Sequence, residues 1–141
     1  MTIEGKLNLV KNALDGYLYM RDEILMDLNP EIIEKNQDQL HEGLNSLGES
    51  IEPEYTPFTI AVKKIKGQPW NRVTLFDGGD FQEGMFSQIE GDELVISSTD
   101  YKTGKLTEKY GISIFGLNNE SKDDIQALFI QRIIERLKEI I

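Results

Sequence analysis

Four side chains in this sequence have the chemistry of a reactive site: Asp77, Asp80 and Glu83 in the stretch TLFDGGDFQEGMF, and the only histidine, His41. Closely spaced carboxylates suit a hard divalent cation, which takes oxygen ligands and can activate water for hydrolysis. A calcium loop opening on Asp77, however, wants oxygen ligands where Gly79 and Phe81 stand. His41 lies beside Leu40 on a predicted helix, and no serine or aspartate pattern marks the oriented partner that a general base requires. One histidine and no cysteine exclude multi-histidine zinc sites, thiolate sites, iron–sulfur clusters and cysteine nucleophiles. Phosphate-cradling glycine loops of the G-x-G-x-x-G and G-x-x-x-x-G-K-[ST] forms are also absent.

LFDGG has a faint outline of the Asp-Thr-Gly loop of aspartic proteases, but that mechanism needs two aspartates sharing a proton on two matching loops. A single loop is present. The better reading of Asp77, Gly78, Gly79 and Asp80 is a structural turn. An aspartate hydrogen-bonds its own backbone two residues on, glycine accepts positive φ, and Asp80 then caps the turn that starts DFQEGM. Gly79 carries the sharpest conformational demand. No catalytic, metal or cofactor-binding residue is expected, and no cofactor.

The elements that must hold this turn fit one domain. A chain of 141 residues buries roughly two thirds of the surface its unfolded form exposes. Its 39% hydrophobic and 28% charged residues are those of a folded protein rather than a disordered segment. The charged, Gly5-broken start MTIEGKLNLVKNAL lacks the apolar core of a signal peptide, and no run approaches the about 18 apolar residues of a membrane span. Neither export by such a signal nor membrane embedding is expected. A net charge of −10 repels phosphate backbones, so nucleic-acid binding is not expected. The single basic run, Lys63, Lys64 and Lys66, reads as a solvated helix face.

Ile3, Leu7, Val10, Leu14 and Leu18 stand at helical spacing, with Gly16 predicting one interrupted helix or two short ones over residues 3 to 28. Asn29 as cap and Pro30 in the first turn predict a helix to about residue 44, with Ile32, Ile33, Asn36, Leu40 and Leu44 on one face. LGESIEPEYTP reads as a loop. Thr56-Pro57 repeats the cap-then-proline signal for a short helix ended by Gly67. RVTLF has strand character, and two antiparallel strands at 85–90 and 93–98 flank a Gly91-Asp92 turn. Leu106 and Tyr110 mark a short helix stopped at Gly111.

The last helix has Ser121 and Asp124 in the arrangement of a capping box. Its apolar residues Ile125, Phe129, Ile130, Ile133, Ile134, Leu137, Ile140 and Ile141 cover about half the circumference, centred on Phe129, Ile133 and Leu137. That centre is expected in the core. Together these elements predict an α+β fold with helices packed on a small antiparallel sheet: an N-terminal helical region (1–45), a sheet-bearing core (55–117) and a C-terminal helix (118–141).

Several motifs between residues 39 and 117 then fall in a familiar order: QLHEGLNSLGESI, YTPFTIAVKK, TLFDGGDF, EGDELVISS, KTGKLTEKYG and IFGLNNESKDDI. In that order they resemble the tailed-bacteriophage virion morphogenesis proteins, also called tail completion or minor tail proteins, and their prophage-encoded members in particular. Gly78 stands where that family usually has threonine, and Tyr55 where it often has tryptophan. The resemblance implies an α+β fold, a structural role at the phage neck or tail end, and no catalytic residues.

The leading expectation is a non-enzymatic virion protein, assembled in the bacterial cytoplasm, that acts in tail completion or head–tail joining through contacts with other tail or neck proteins. It competes with an acidic inhibitor that mimics nucleic acid, and with a carboxylate-metal hydrolase using Asp77, Asp80 and Glu83. A mimic concentrates carboxylates on one face, whereas here they are spread along the chain and interleaved with lysines. Like-charge repulsion predicts a monomeric or weakly associated free subunit that forms a ring on a phage partner. Trp70, Ile130, Ile134 and Ile141 are the candidate interface residues.

Overall fold

The computed structural model describes residues 1–140 and has the α+β fold expected. Helices α1 (Ile3–Asp27) and α2 (Asn29–His41) lead to α3 (Pro57–Lys66) and a one-turn α4 (Asp80–Glu83). Strands β1 (Met85–Glu90) and β2 (Glu93–Ser98), α5 (Thr103–Tyr110), a 3₁₀ turn (Ile112–Ile114) and α6 (Asn119–Ile140) complete the chain. Ile141, one of the candidate interface residues, lies outside the described residues.

The two strands pair antiparallel in the register Met85 to Ser98 through Glu90 to Glu93. Gly91 opens their two-residue turn with φ +64°, matching the mirror-image turns that follow the twist of paired strands. Among the described residues RVTLF forms no strand, although Val73, Thr74 and Leu75 are buried. The Tyr55 hydroxyl accepts from the Thr74 N–H at 3.0 Å and the Leu75 N–H at 3.3 Å, satisfying donors that a neighbouring strand would otherwise take.

α2 runs through the middle of the core. Its Ile32, Ile33 and Leu40 are buried with Ile24 from α1, Leu28 between the two helices, Phe81, Ile96, Ile114, Phe115, Leu117, and Ile125 from α6. The same face carries two buried amides one turn apart. Asn36 donates to the Ile114 carbonyl (3.1 Å) and accepts from the Gly116 N–H (2.9 Å). Gln39 donates to the Gly116 carbonyl and accepts from the Asn118 N–H, both at 2.9 Å. Two side chains thus pair with residues 114–118 as the backbone of a neighbouring strand would, and the segment needs no sheet to satisfy it.

Local signals are overruled at both ends of this assembly. α1 is continuous through Gly16, because a single glycine costs only about 1 kcal/mol against alanine in a helix. Asn29 does not cap α2: its Oδ1 accepts from the Ser87 N–H at 3.0 Å and from the Ser87 hydroxyl, tying the helix to β1. Ser121 does not cap α6, whose first turn starts two residues earlier. Asn118 accepts from the Ser121 N–H at 3.0 Å instead. At α3 the expectation holds, with Thr56 accepting from the Thr59 N–H and Gly67 closing the helix at φ +70°. Among the described residues no helix is long and apolar enough to cross a membrane.

Candidate functional site

The turn at Asp77 to Asp80 lies between α3 and α4 and is held from the α3 side. Lys66 donates to an Asp77 carboxylate oxygen at 2.8 Å, and this hydrogen bond holds the Asp77 carboxyl below its ordinary range. Gln68 donates to the Asp77 carbonyl at 2.7 Å. Gly78 is exposed with open space around it, whereas Gly79 is buried at φ +92° and a Cβ there would lie 3.3 Å from the Phe76 ring. Asp80 does not cap the turn. It is the first residue of α4 and its side chain is exposed, while the capping position belongs to Gly79, which has no side chain to donate or accept.

Glu83 is also exposed. Among the described residues no three histidine, aspartate or glutamate side chains form a group that could hold a metal ion. His41 sits exposed in the last turn of α2, where its carbonyl accepts from Arg72 Nε at 2.7 Å. This is a backbone contact that stitches α2 to the loop after α3.

The basic run is a solvated face only in part: Lys64 and Lys66 are exposed, as expected, but Lys63 is not. Lys63 is only 7% exposed; its ammonium donates to the Phe76 carbonyl at 2.7 Å and lies 4.8 Å from the centre of the Tyr55 ring. A lysine can be buried this way because its long apolar stem packs while a carbonyl and an aromatic face receive its charge. Lys64 stands 4.2 Å over the Trp70 ring, and Lys66 takes Asp77. Each of the three lysines is therefore assigned to a different neighbour. Beside Lys63 and Lys66 opens a cleft of about 300 Å³ lined by Tyr55, Phe58, Val62, Phe76, Leu106 and Tyr110. Its walls are mainly aromatic and aliphatic, with Lys63, Lys66, Asp77 and Lys102 also lining it.

Of the candidate interface residues, Trp70, Ile130 and Ile134 are exposed and lie on two separate parts of the fold. Trp70 is 43% exposed beside α3, while Ile130 and Ile134, the latter 47% exposed, lie on α6. α6 enters the core at its start, where Ile125 is buried, and leaves it gradually. Phe129 and Ile133 are half-buried against the core, and Leu137, expected beside them, is exposed. Beyond Ile133 the helix is held mainly by charge: Arg136 donates to Glu23 at 2.7 Å and lies 3.7 Å from Asp27. That contact keeps the Glu23 carboxyl below its ordinary range.

A long uncovered apolar stripe was not among the sequence candidates. Ile3, Leu7, Val10, Leu14 and Tyr17 are all exposed along the first four turns of α1. Among the described residues the tertiary hydrogen bonds and ion pairs of α1 begin at Arg21, which reaches Asp92 and the Gly91 carbonyl in the hairpin turn. The signal for this surface was in the spacing of its apolar residues. Spacing alone, however, does not say whether the rest of the chain covers them. In the comparisons with known proteins, no family model, no curated protein and no solved structure matches this chain.

Proposed function

We infer that this chain is a structural protein of a tailed bacteriophage or prophage virion, acting in tail completion or head–tail joining without catalysis. Assembly takes place in the bacterial cytoplasm, and the partners are other tail or neck proteins, on which copies of the chain form a ring. One observation carries the reading. The motifs that resemble the family are used to build the body rather than a reactive site: Gln39 of the first motif clamps Gly116 and Asn118 of the last. Asp77 of the middle motif is spent on Lys66. Apolar side chains left outside that body, on α1 and on the far end of α6, give such a protein surfaces with which to join neighbours.

Mass spectrometry of purified virions tests the reading. A connector or completion protein is expected in a few copies per particle, and deletion of its gene should leave heads and tails unjoined. Normal infectious particles from the deletion, with the chain absent from wild-type virions, would exclude it.

A further inference from the structure

We propose that the uncovered half of α1 binds a second copy of this chain, with residues 3–14 of the two copies packed antiparallel as a short two-helix coil. Ile3, Leu7, Val10, Leu14 and Tyr17, followed by Arg21, Ile24 and Leu28, succeed one another in alternating steps of four and three. This is the seam of a coiled coil. Its C-terminal end, Ile24 and Leu28, is buried in the chain's own core. The same face then runs outward with nothing on it, and Leu7 and Val10 are 63% and 66% exposed.

Charge selects a second copy as the occupant. Glu4 and Asp15 balance Lys6 and Lys11, so residues 1–18 carry no net side-chain charge and the whole −10 belongs to the remainder. Two copies that meet along α1 do so across segments of no net charge, so the contact itself adds no repulsion between the acidic chains. An antiparallel arrangement also holds the two acidic bodies at opposite ends of the pair.

The flanking residues select the direction. With Ile3 across from Leu14 of the second copy and Leu7 across from its Val10, Glu4 comes beside the second copy's Lys11, and the symmetry supplies the same pair again. Parallel packing would set Lys6 beside Lys11 instead. In this register the contact ends at the Ile3–Leu14 layer, short of Leu18, which is half-buried by its own body. Twelve helical residues give a contact about 18 Å long. It buries far less than the about 800 Å² per partner of a stable complex, so the pairing is weak and reversible.

This inference does not rest on the virion reading, and its test leaves that reading untouched. Sedimentation equilibrium of the full chain from about 10 µM to about 1 mM should show a dimer that grows with concentration. Leu7→Gln with Val10→Gln should abolish it without moving the thermal midpoint, since both positions are exposed and glutamine keeps the helix. Glu4→Lys should weaken association by about two- to fivefold per pair, and Lys11→Glu added to it should restore the dimer. Because the chain has no cysteine, Ile3→Cys and Leu14→Cys chains can be mixed and oxidised. The expected product is a cross-link between the two kinds of chain. The proposal is overturned by a monomer at every concentration, by a dimer that survives the double glutamine variant, or by cross-links joining only Ile3→Cys chains to each other. A chain that stays monomeric while it co-sediments with phosphatidylglycerol vesicles would also overturn it.

Discussion

The first four turns of α1 and the whole of α2 both place apolar residues along one face, and they end in opposite environments. Ile32 and Leu40 of α2 have no exposed surface, and the face between them is completed by Asn36 and Gln39, which hold residues 114–118. Leu7, Val10 and Leu14 of α1 remain largely in water. The difference does not lie in the periodicity of either helix. It lies in what the chain brings to each face: β1, α6 and the end of α1 all pack on α2, which also holds residues 114–118, whereas the tertiary hydrogen bonds of α1 start only near its C-terminal end. An amphipathic stripe states that a helix has a face to cover, and the remainder of the fold decides whether the cover comes from within.

The sharpest way to break this comparison is to truncate both faces. Leu40→Ala or Ile32→Ala should destabilise by about 2 to 5 kcal/mol in urea unfolding, as large-to-small changes in a closed core do. Leu7→Ala or Leu14→Ala should move stability by no more than about 0.5 kcal/mol at low protein concentration. Equal losses at the two sites would mean that α1 is covered in solution by its own chain. Asn36→Ala tests the polar part of the α2 face. It leaves the Ile114 carbonyl and the Gly116 N–H unpartnered in the interior, and about 2 to 4 kcal/mol is expected.

α6 contains the same contrast within one helix, so it sharpens the comparison at a smaller scale. Ile125→Ala should cost about 2 to 4 kcal/mol, and Ile134→Ala less than about 1 kcal/mol, by the same denaturation measurement. At the Asp77 to Asp80 turn, Gly79→Val should cost about 1 to 3 kcal/mol. A β-branched residue cannot adopt φ +92° without strain, and its Cβ would press on the Phe76 ring. Gly78→Ala, which has open space, should be close to neutral.

The smallest effect concerns the charges that finish what apolar packing does not. Glu23 and Asp77 both titrate below their ordinary ranges, through Arg136 and Lys66 respectively. For a carboxyl lowered in the folded state, the stabilising contribution is complete above the unfolded value. It is lost as pH falls through the folded one. Stability should therefore decline from near pH 4.5, the ordinary value for glutamate, downward. Arg136→Gln should shallow that decline and leave the profile above pH 6 or so unchanged in slope. A profile identical to wild type would show that the Arg136 pair contributes nothing in solution, as many exposed pairs do not.

Features set by neighbours in the chain were legible in the sequence. The hairpin register follows from alternation on both sides of Gly91-Asp92, and α3 from Thr56, Pro57 and Gly67. Each of these depends on the conformation of a few adjacent residues. Readings failed where a side chain had a local option and a distant one. Asn29 and Ser121 have the chemistry of caps, but Ser87 claims the first and Asn118 precedes the second. The RVTLF stretch has the residues of a strand, yet Tyr55 takes its donors and no strand forms there among the described residues. The candidate site fared similarly: the positive φ of Gly79 follows from its type and place, while nothing near Asp77 in sequence points to Lys66 as its partner.

By itself, then, the sequence determined the strands, the placing of most helices, the absence of cysteine chemistry and the concentration of net charge outside residues 1–18. Each of these is a property of composition or of the nearest few residues. Only the tertiary structure decided that Lys63 is buried while Leu7 is not, and that Asn36 and Gln39 serve as the partner of a strand-like segment nearly 80 residues away. Burial is a relation between surfaces brought together from distant parts of the chain. A polar group enters the interior wherever a partner waits for it there, and an apolar one stays outside when none does.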